Sequence, residues 1–339
     1  RNKVEEKKSN NLAVAAFDHP DTARSFHELG VAQYDIKDFN SAIQSHQHAL
    51  QIRLNLFGES NADTAQSYHS IGLTHHKMQD YKSALECKTK SLQIRLNLFG
   101  ENHVDTARSY YTIGVTHYEM KNYKSAMQSD QQALRIRLKL FGKNHVDTAQ
   151  SYYSIGLTHH KMKDYKSALL SKKKAVQIRS KLFGKNHVDT ADSHYSIGVT
   201  QHVMKNYKSA IQSHQHALKI RLKLFGENHA DTARSYHTIG VTQQMMQDYN
   251  SALDYKEKAL QIRLNLFGEN HADTAQSHRE IGLTKHSKHT MDDYISAWES
   301  YQHALIIRIK LFGDNHPHTV QSYLDIELLR RDMKNYNTG

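Results

Sequence analysis

An all-α solenoid of helical hairpins is the fold class that this sequence predicts, and three observations carry the expectation. The phrase Leu-Phe-Gly ends at Gly58, Gly100, Gly142, Gly184, Gly226, Gly268 and Gly313, giving five spacings of 42 residues and one of 45. Self-similarity at such a period marks stacked supersecondary units, each burying its apolar face only against its neighbours. A mean hydropathy of −0.74 is too low for one large core in a chain of 339 residues, so a thin, elongated fold is expected. Two prolines and fifteen glycines leave no room for long linkers, and no run approaches the roughly eighteen apolar residues of a membrane span.

Residues 1–20 read as the end of an incomplete preceding repeat, because His19-Pro20-Asp21-Thr22-Ala23 continues the loop pattern between later units. Seven tandem units follow, at about 21–62, 63–104, 105–146, 147–188, 189–230, 231–272 and 273–317. Within one unit, Asp105-Thr106-Ala107 is a small polar start, and Tyr110, Ile113, Gly114, Tyr118 and Met120 then fall along one helical stripe, helix A. Asn122 and its counterparts Asp38, Asp80, Asp164, Asn206, Asp248 and Asp293 are expected to cap helix B, since their side chains accept from exposed N-terminal amides. Helix B carries Ala126, Met127, Ala133, Leu134, Ile136, Leu140 and Phe141, and stops at Gly142, a residue suited to positive φ. Gly114 and Ala126 are small so that the two helices of a hairpin approach closely. The three extra residues of the last unit lie near Ser287 to Thr290 and are expected to lengthen one turn between helices. Residues 318–339 read as an eighth helix A and the start of an incomplete helix B, since Met333-Lys334-Asn335-Tyr336 matches Met120-Lys121-Asn122-Tyr123.

The pattern resembles the tetratricopeptide repeat family, in particular its 42-residue kinesin-light-chain-like and nephrocystin-like repeats. The family's large aromatic falls on Phe26, Tyr68, Tyr110, Tyr152, His194, Tyr236 and His278, and its Leu-Gly pair on Leu29-Gly30, Ile71-Gly72, Ile113-Gly114 and their equivalents. Its alanine positions fall on Ala42, Ala84, Ala126, Ala168, Ala210, Ala252 and Ala297, and then on Ala49, Ser91, Ala133, Ala175, Ala217, Ala259 and Ala304. Two departures stand out. The second aromatic is mostly polar, as at His46, Lys88 and Asp130, and the proline that ends helix B is replaced by Leu54 and its equivalents, so helix B runs longer. The resemblance implies a right-handed superhelix with A helices lining a concave face.

No phosphate-binding glycine loop, nucleophile elbow, HExxH pair or paired-cysteine spacing occurs, so neither an enzyme nor a cofactor is expected. The pairs His75-His76 and His159-His160 are adjacent, and neighbouring helical residues point apart, so no metal site is expected from them. The single cysteine, Cys87, favours a reducing, cytoplasmic setting. The net charge of +11 attracts acidic partners in general, yet the basic residues are spread along every repeat as on a solvated face, so nucleic acid is not the expected partner. The arginine ladder at Arg53, Arg95, Arg137, Arg179, Arg221, Arg263 and Arg308 is read as packing.

If helix A lines a groove, the resemblance places inward the positions two, five, nine and twelve residues into each repeat. The candidate partner-binding residues are therefore Arg24, His27, Tyr34, His69, His76, Arg108, Tyr111, Tyr118, Tyr153, His160, Tyr195, His202, Arg234, His237 and Arg279, over an apolar strip from Val31 to Leu283. Such a mixture of rings and arginines suits a protein or peptide partner, acidic or aromatic and extended. The expected function is an interaction scaffold. Two alternatives stand beside it, a structural solenoid self-associating through open repeat ends into filaments, and the sensor array of a larger signalling ATPase.

Overall fold

A computed structural model describes residues 19–338, and among them every regular element is a helix, fifteen in all. The expected remnant of a preceding repeat therefore lies almost wholly outside the described residues. The chain divides into two compact units, the first ending at Ile178 and the second beginning at Arg179. The first holds the hairpins α1 (Pro20–Asp35) and α2 (Phe39–Phe57), α3 (Ala62–Lys77) and α4 (Tyr81–Phe99), and α5 (Val104–Glu119) and α6 (Tyr123–Phe141). Helix α7 (Val146–Lys161) follows, and α8 (Tyr165–Phe183) carries the division between the units. The second holds α9 (Val188–Val203) with α10 (Tyr207–Phe225), α11 (Ala230–Met245) with α12 (Tyr249–Phe267), α13 (Ala272–His286) with α14 (Met291–Phe312), and finally α15 (Pro317–Thr338). Within each unit the successive helices pack on one another in chain order, as a solenoid of hairpins requires.

The polar starts read from the sequence have specific work. The loop histidines cap the A helices: Nδ1 of His103, His145 and His187 accepts at 3.2 Å from the amide two residues on. Each imidazole also stacks on the phenylalanine that ends the preceding helix, with ring centroids 4.2 Å apart for Phe99–His103 and Phe141–His145. The buried threonine of Asp-Thr-Ala then donates to the carbonyl of the glycine that ended helix B, 2.9 Å for Thr106 to Gly100 and for Thr148 to Gly142. That glycine is required, because Gly142 sits at φ 76°, ψ −170°, a region closed to residues with a Cβ.

Asp38, Asp80, Asn122, Asp164 and Asp248 cap the B helices as expected. Asn206 stands at the cap position without a side-chain bond. Asp293 is not a cap: Thr290 takes that place and accepts from the Asp293 amide. The cause is the insertion, which mainly extends the helix instead of the turn. Helix α14 has 22 residues where the other B helices have 19, so Asp293 lies within its first turn. The residue before each cap adopts a left-handed conformation without being glycine, as at Lys37, Gln79 and Lys121. Nothing in their chemistry announced this; the hairpin geometry imposes it.

At the C-terminal end α15 runs as one helix of 22 residues, straight through Met333-Lys334-Asn335-Tyr336, and the expected turn into an incomplete helix B does not form. The residues that would have made the turn have other partners. Asp332 bonds His286 at 3.1 Å, and Tyr336 packs edge-on against Tyr294 with centroids 5.9 Å apart.

The interior accounts for the low hydropathy. Alanines such as Ala42, Ala84 and Ala126 are fully buried, and a Cβ built on Gly114 would meet Asp130 Oδ1 at 2.6 Å. The polar departures from the family's second aromatic all land in this close contact. His46, Lys88, Asp130, Lys172, His214 and Lys256 are each 2% exposed or less, and each faces the glycine of its own helix A, as does Tyr301, which keeps the aromatic. The arginine ladder is packing of a directed kind, a staple between repeats. Arg137 Nη1 donates to the Asp147 carbonyl at 3.0 Å and to Ser151 Oγ at 2.8 Å, and Arg53, Arg95, Arg179, Arg221, Arg263 and Arg308 repeat the pair.

Candidate partner-binding face

The A helices present their candidate residues in three polar rows, one at each of the second, fifth and twelfth positions of the repeat. In the first row Arg24, Arg108 and Arg234 are exposed. At three levels where that row holds an acceptor instead, a ladder arginine binds it: Arg95 Nη2 donates to Gln66 Oε1 at 3.0 Å, Arg221 Nη2 to Asp192 Oδ1 at 2.7 Å and Arg308 Nη2 to Gln276 Oε1 at 2.9 Å.

In the fifth-position row His27, Tyr111, Tyr153, Tyr195, His237 and Arg279 are half-buried, and His69 is buried outright. The tyrosine rings lie under guanidinium groups. Arg137 stands 4.8 Å from the Tyr111 centroid, while in the second unit Tyr195 has Arg221 at 4.9 Å and Arg234 at 5.3 Å. Their hydroxyls reach the next helix A, since Gln150 Nε2 donates to Tyr111 Oη at 2.8 Å and Tyr195 Oη lies 3.2 Å from Thr238 Oγ1. Arg279 departs from the expected role. Its guanidinium is bonded twice to the nearly buried Asp325, Nη2 to Oδ1 at 3.1 Å, so it serves α15 rather than an outside carboxylate.

The twelfth-position row packs edge-on against the first residue of helix B: Tyr34 on Phe39, His76 on Tyr81, Tyr118 on Tyr123, His160 on Tyr165 and His202 on Tyr207, with centroids 5.3–5.6 Å apart. His202 Nδ1 is also 3.1 Å from Thr242 Oγ1 of the next helix A.

Burial, with the nearby cations next in weight, holds His76 and His160 down to about 4 and His69 down to about 3, and it lowers His27 and His237 in the same sense. Burial alone lowers His202. At neutral pH these imidazoles are uncharged, and positive charge on the face comes from arginine. Among the described residues no group of three or more His, Cys, Asp or Glu is placed to hold a metal, and no helix is long and apolar enough to cross a membrane. The stacking of Arg137 and Arg221 on the tyrosines was missed in the sequence, although Arg137 follows Tyr111 by the same 26 residues that separate Tyr195 and Arg221.

Comparison with known proteins agrees with this geometry. The model of one tetratricopeptide repeat family matches residues 21–95, 63–139, 128–180 and 189–265, and a second tetratricopeptide repeat model matches 289–318. No curated protein sequence matches significantly. Among solved structures, the chain is similar to BtubC from P. vanneervenii, with TM-score 0.58 and 14% identity over 69% of this chain and 91% of that one. It is also similar to a putative kinesin light chain of nearly identical repeats from Podosopora anserina, with TM-score 0.55 and 15% identity over 61% and 98%. A signal transduction ATPase from Pyrococcus horikoshii, bearing a tetratricopeptide repeat sensor, has TM-score 0.66 and 15% identity over 93% of this chain and 46% of its own.

Proposed function

The chain belongs to the tetratricopeptide repeat family, whose arrays are typically non-catalytic scaffolds for protein interactions, and from that premise we propose that it binds extended segments of partner proteins along its A-helix face. The observation that carries the reading is the tyrosine lying under a ladder guanidinium in both units, Tyr111 beneath Arg137 and Tyr195 beneath Arg221, the latter ring also covered by the exposed Arg234. Guanidinium groups accept carboxylates in fork geometry and rings in stacked geometry, so the preferred segment is acidic with interspersed aromatic residues. Because the staples and edge-on contacts hold these side chains in place before binding, little side-chain entropy is lost on contact.

The test uses a fluorescent peptide of alternating glutamate and tyrosine. Replacing the exposed Arg24, Arg108 and Arg234 together by alanine is expected to weaken its binding at least about tenfold, roughly 1.4 kcal/mol, with an unchanged thermal melt. Full affinity in the triple variant would remove the A-helix face as the binding surface. Nothing in the geometry favours the sensor-array alternative over the plain scaffold.

A further inference from the structure

Outside the candidate face, the second unit contains a cleft of about 640 Å³ between the end of α8, the loop that follows it, α9 and α10. None of the candidate positions of that repeat lines it. Its cations are Lys185 from the loop and Lys219 and Lys223 from successive turns of α10. All three are exposed, and among the described residues none forms an ion pair. Ser180, Asn186 and Thr190 add polar groups, while Ile220 and the facing rings of His194 and His216, 5.3 Å apart, form the opposite wall. Burial, followed by the His216 ring, holds His194 below the usual imidazole range.

The same cleft recurs two repeats later in the same unit, and the comparison isolates what is special. That copy, about 270 Å³, keeps the asparagine as Asn270, the facing imidazoles as His278 and His303, the isoleucine as Ile307 and one lysine as Lys310. It replaces Ser180 by Leu264, Lys185 by Glu269 and Lys219 by Ile306. The same hairpin arrangement therefore forms without the additional lysines. Their convergence in one cleft, with no carboxylate to answer them, is not demanded by packing.

We infer that this cleft binds a phosphorylated serine or threonine on a segment of a partner protein. A phosphomonoester carries close to two negative charges and three terminal oxygens at neutral pH, which matches three unpaired ammonium groups better than a single carboxylate does. The cleft is open to solvent, so a chain can enter and leave it, and the Ile220 and imidazole wall supplies apolar contact for flanking residues. Nucleic acid is the less suited anion, because its affinity comes from a continuous track of phosphate contacts, whereas these three lysines line a single bounded cleft.

The experiment titrates the full chain against a labelled pentapeptide with phosphoserine at its centre and alanine around it, up to about 10 mM, well above a Kd of about 1 mM. Saturable binding is expected to the phosphorylated peptide and at least tenfold weaker binding to its unphosphorylated and glutamate-substituted forms. Combining Lys185→Glu with Lys219→Ile, residues that the sibling cleft already carries, is expected to abolish the difference without shifting the thermal melt. Combining Glu269→Lys with Ile306→Lys is expected to add a second binding equivalent. The inference is overturned by absence of saturation, by equal affinity for the unphosphorylated or glutamate peptide, or by full affinity in the Lys185 and Lys219 double variant. Inorganic phosphate competing as strongly as the peptide would make the cleft a free-anion site, and an oligonucleotide competing more strongly would make it a nucleic-acid contact; either result overturns the assignment to a partner segment.

Discussion

Asp130 occupies the position of α6 that holds His46 in α2 and Lys88 in α4, pressed against the glycine of its hairpin partner. Its Oδ2 accepts from Ser154 Oγ at 2.7 Å, but Oδ1 is buried without a partner. Burial pushes this carboxyl up to about 7, outweighing the Ser154 bond and the Arg137 charge. The folded chain therefore keeps a proton that the unfolded chain releases near pH 4, and stability falls as pH rises from about 4 to 7, by about 4 kcal/mol for this group alone. Asp130→Asn should remove that slope, so that its stability relative to the unsubstituted chain grows between pH 4.5 and 7.5 in urea unfolding. Parallel pH profiles for the two proteins would show that the carboxyl is ionised in the fold. The buried histidines act in the opposite sense. His46 and His214, held down to about 4 chiefly by burial, keep the fold stable above the usual imidazole range and cost stability as pH falls from about 6.5 towards 4.

The hairpin is held less by apolar area than by close approach and by staples. With alanine and glycine at the contact there are few large side chains to exclude water, and the arginine at the end of each helix B supplies directed bonds across to the next helix A. Arg137→Met keeps the buried stem but leaves the Asp147 carbonyl and Ser151 Oγ without their charged donor, at an expected loss of about 2–3 kcal/mol. Urea unfolding of this variant is the check, and a loss below about 0.5 kcal/mol would show that the ladder is surface decoration. The same scale explains the insertion. Added residues continue a helix wherever solvent accepts the extra turn, and α14 grows at its exposed N-terminal end.

For the whole molecule the open question is whether copies join end to end. Helix α15 bears on it, because Glu327 stands where the preceding A helices carry the glycine that admits a helix B. A charged side chain there keeps an incoming helix from the usual close packing, although Val320, Tyr323, Leu324 and Leu328 are exposed beside it. Sedimentation velocity is expected to give a single, concentration-independent species. Linear polymers growing with concentration would instead make the repeat ends the functional surfaces.

The amino-acid sequence by itself determined the helical class, the B-helix caps at Asp38 or Asp80 and the glycine stops, because each depends on chemistry within a few residues and recurs along the chain. It also marked the three polar rows of the A helices, since a helical stripe is a matter of spacing. Only the tertiary structure decided that Arg279 is already held by Asp325, that α15 does not turn at Asn335, and that the lysines of one loop and one helix converge on a cleft. These outcomes depend on residues tens of positions apart meeting in space. Identical local motifs, such as Met-Lys-Asn-Tyr at 120 and at 333, turn or stay straight according to the partners that tertiary packing offers them.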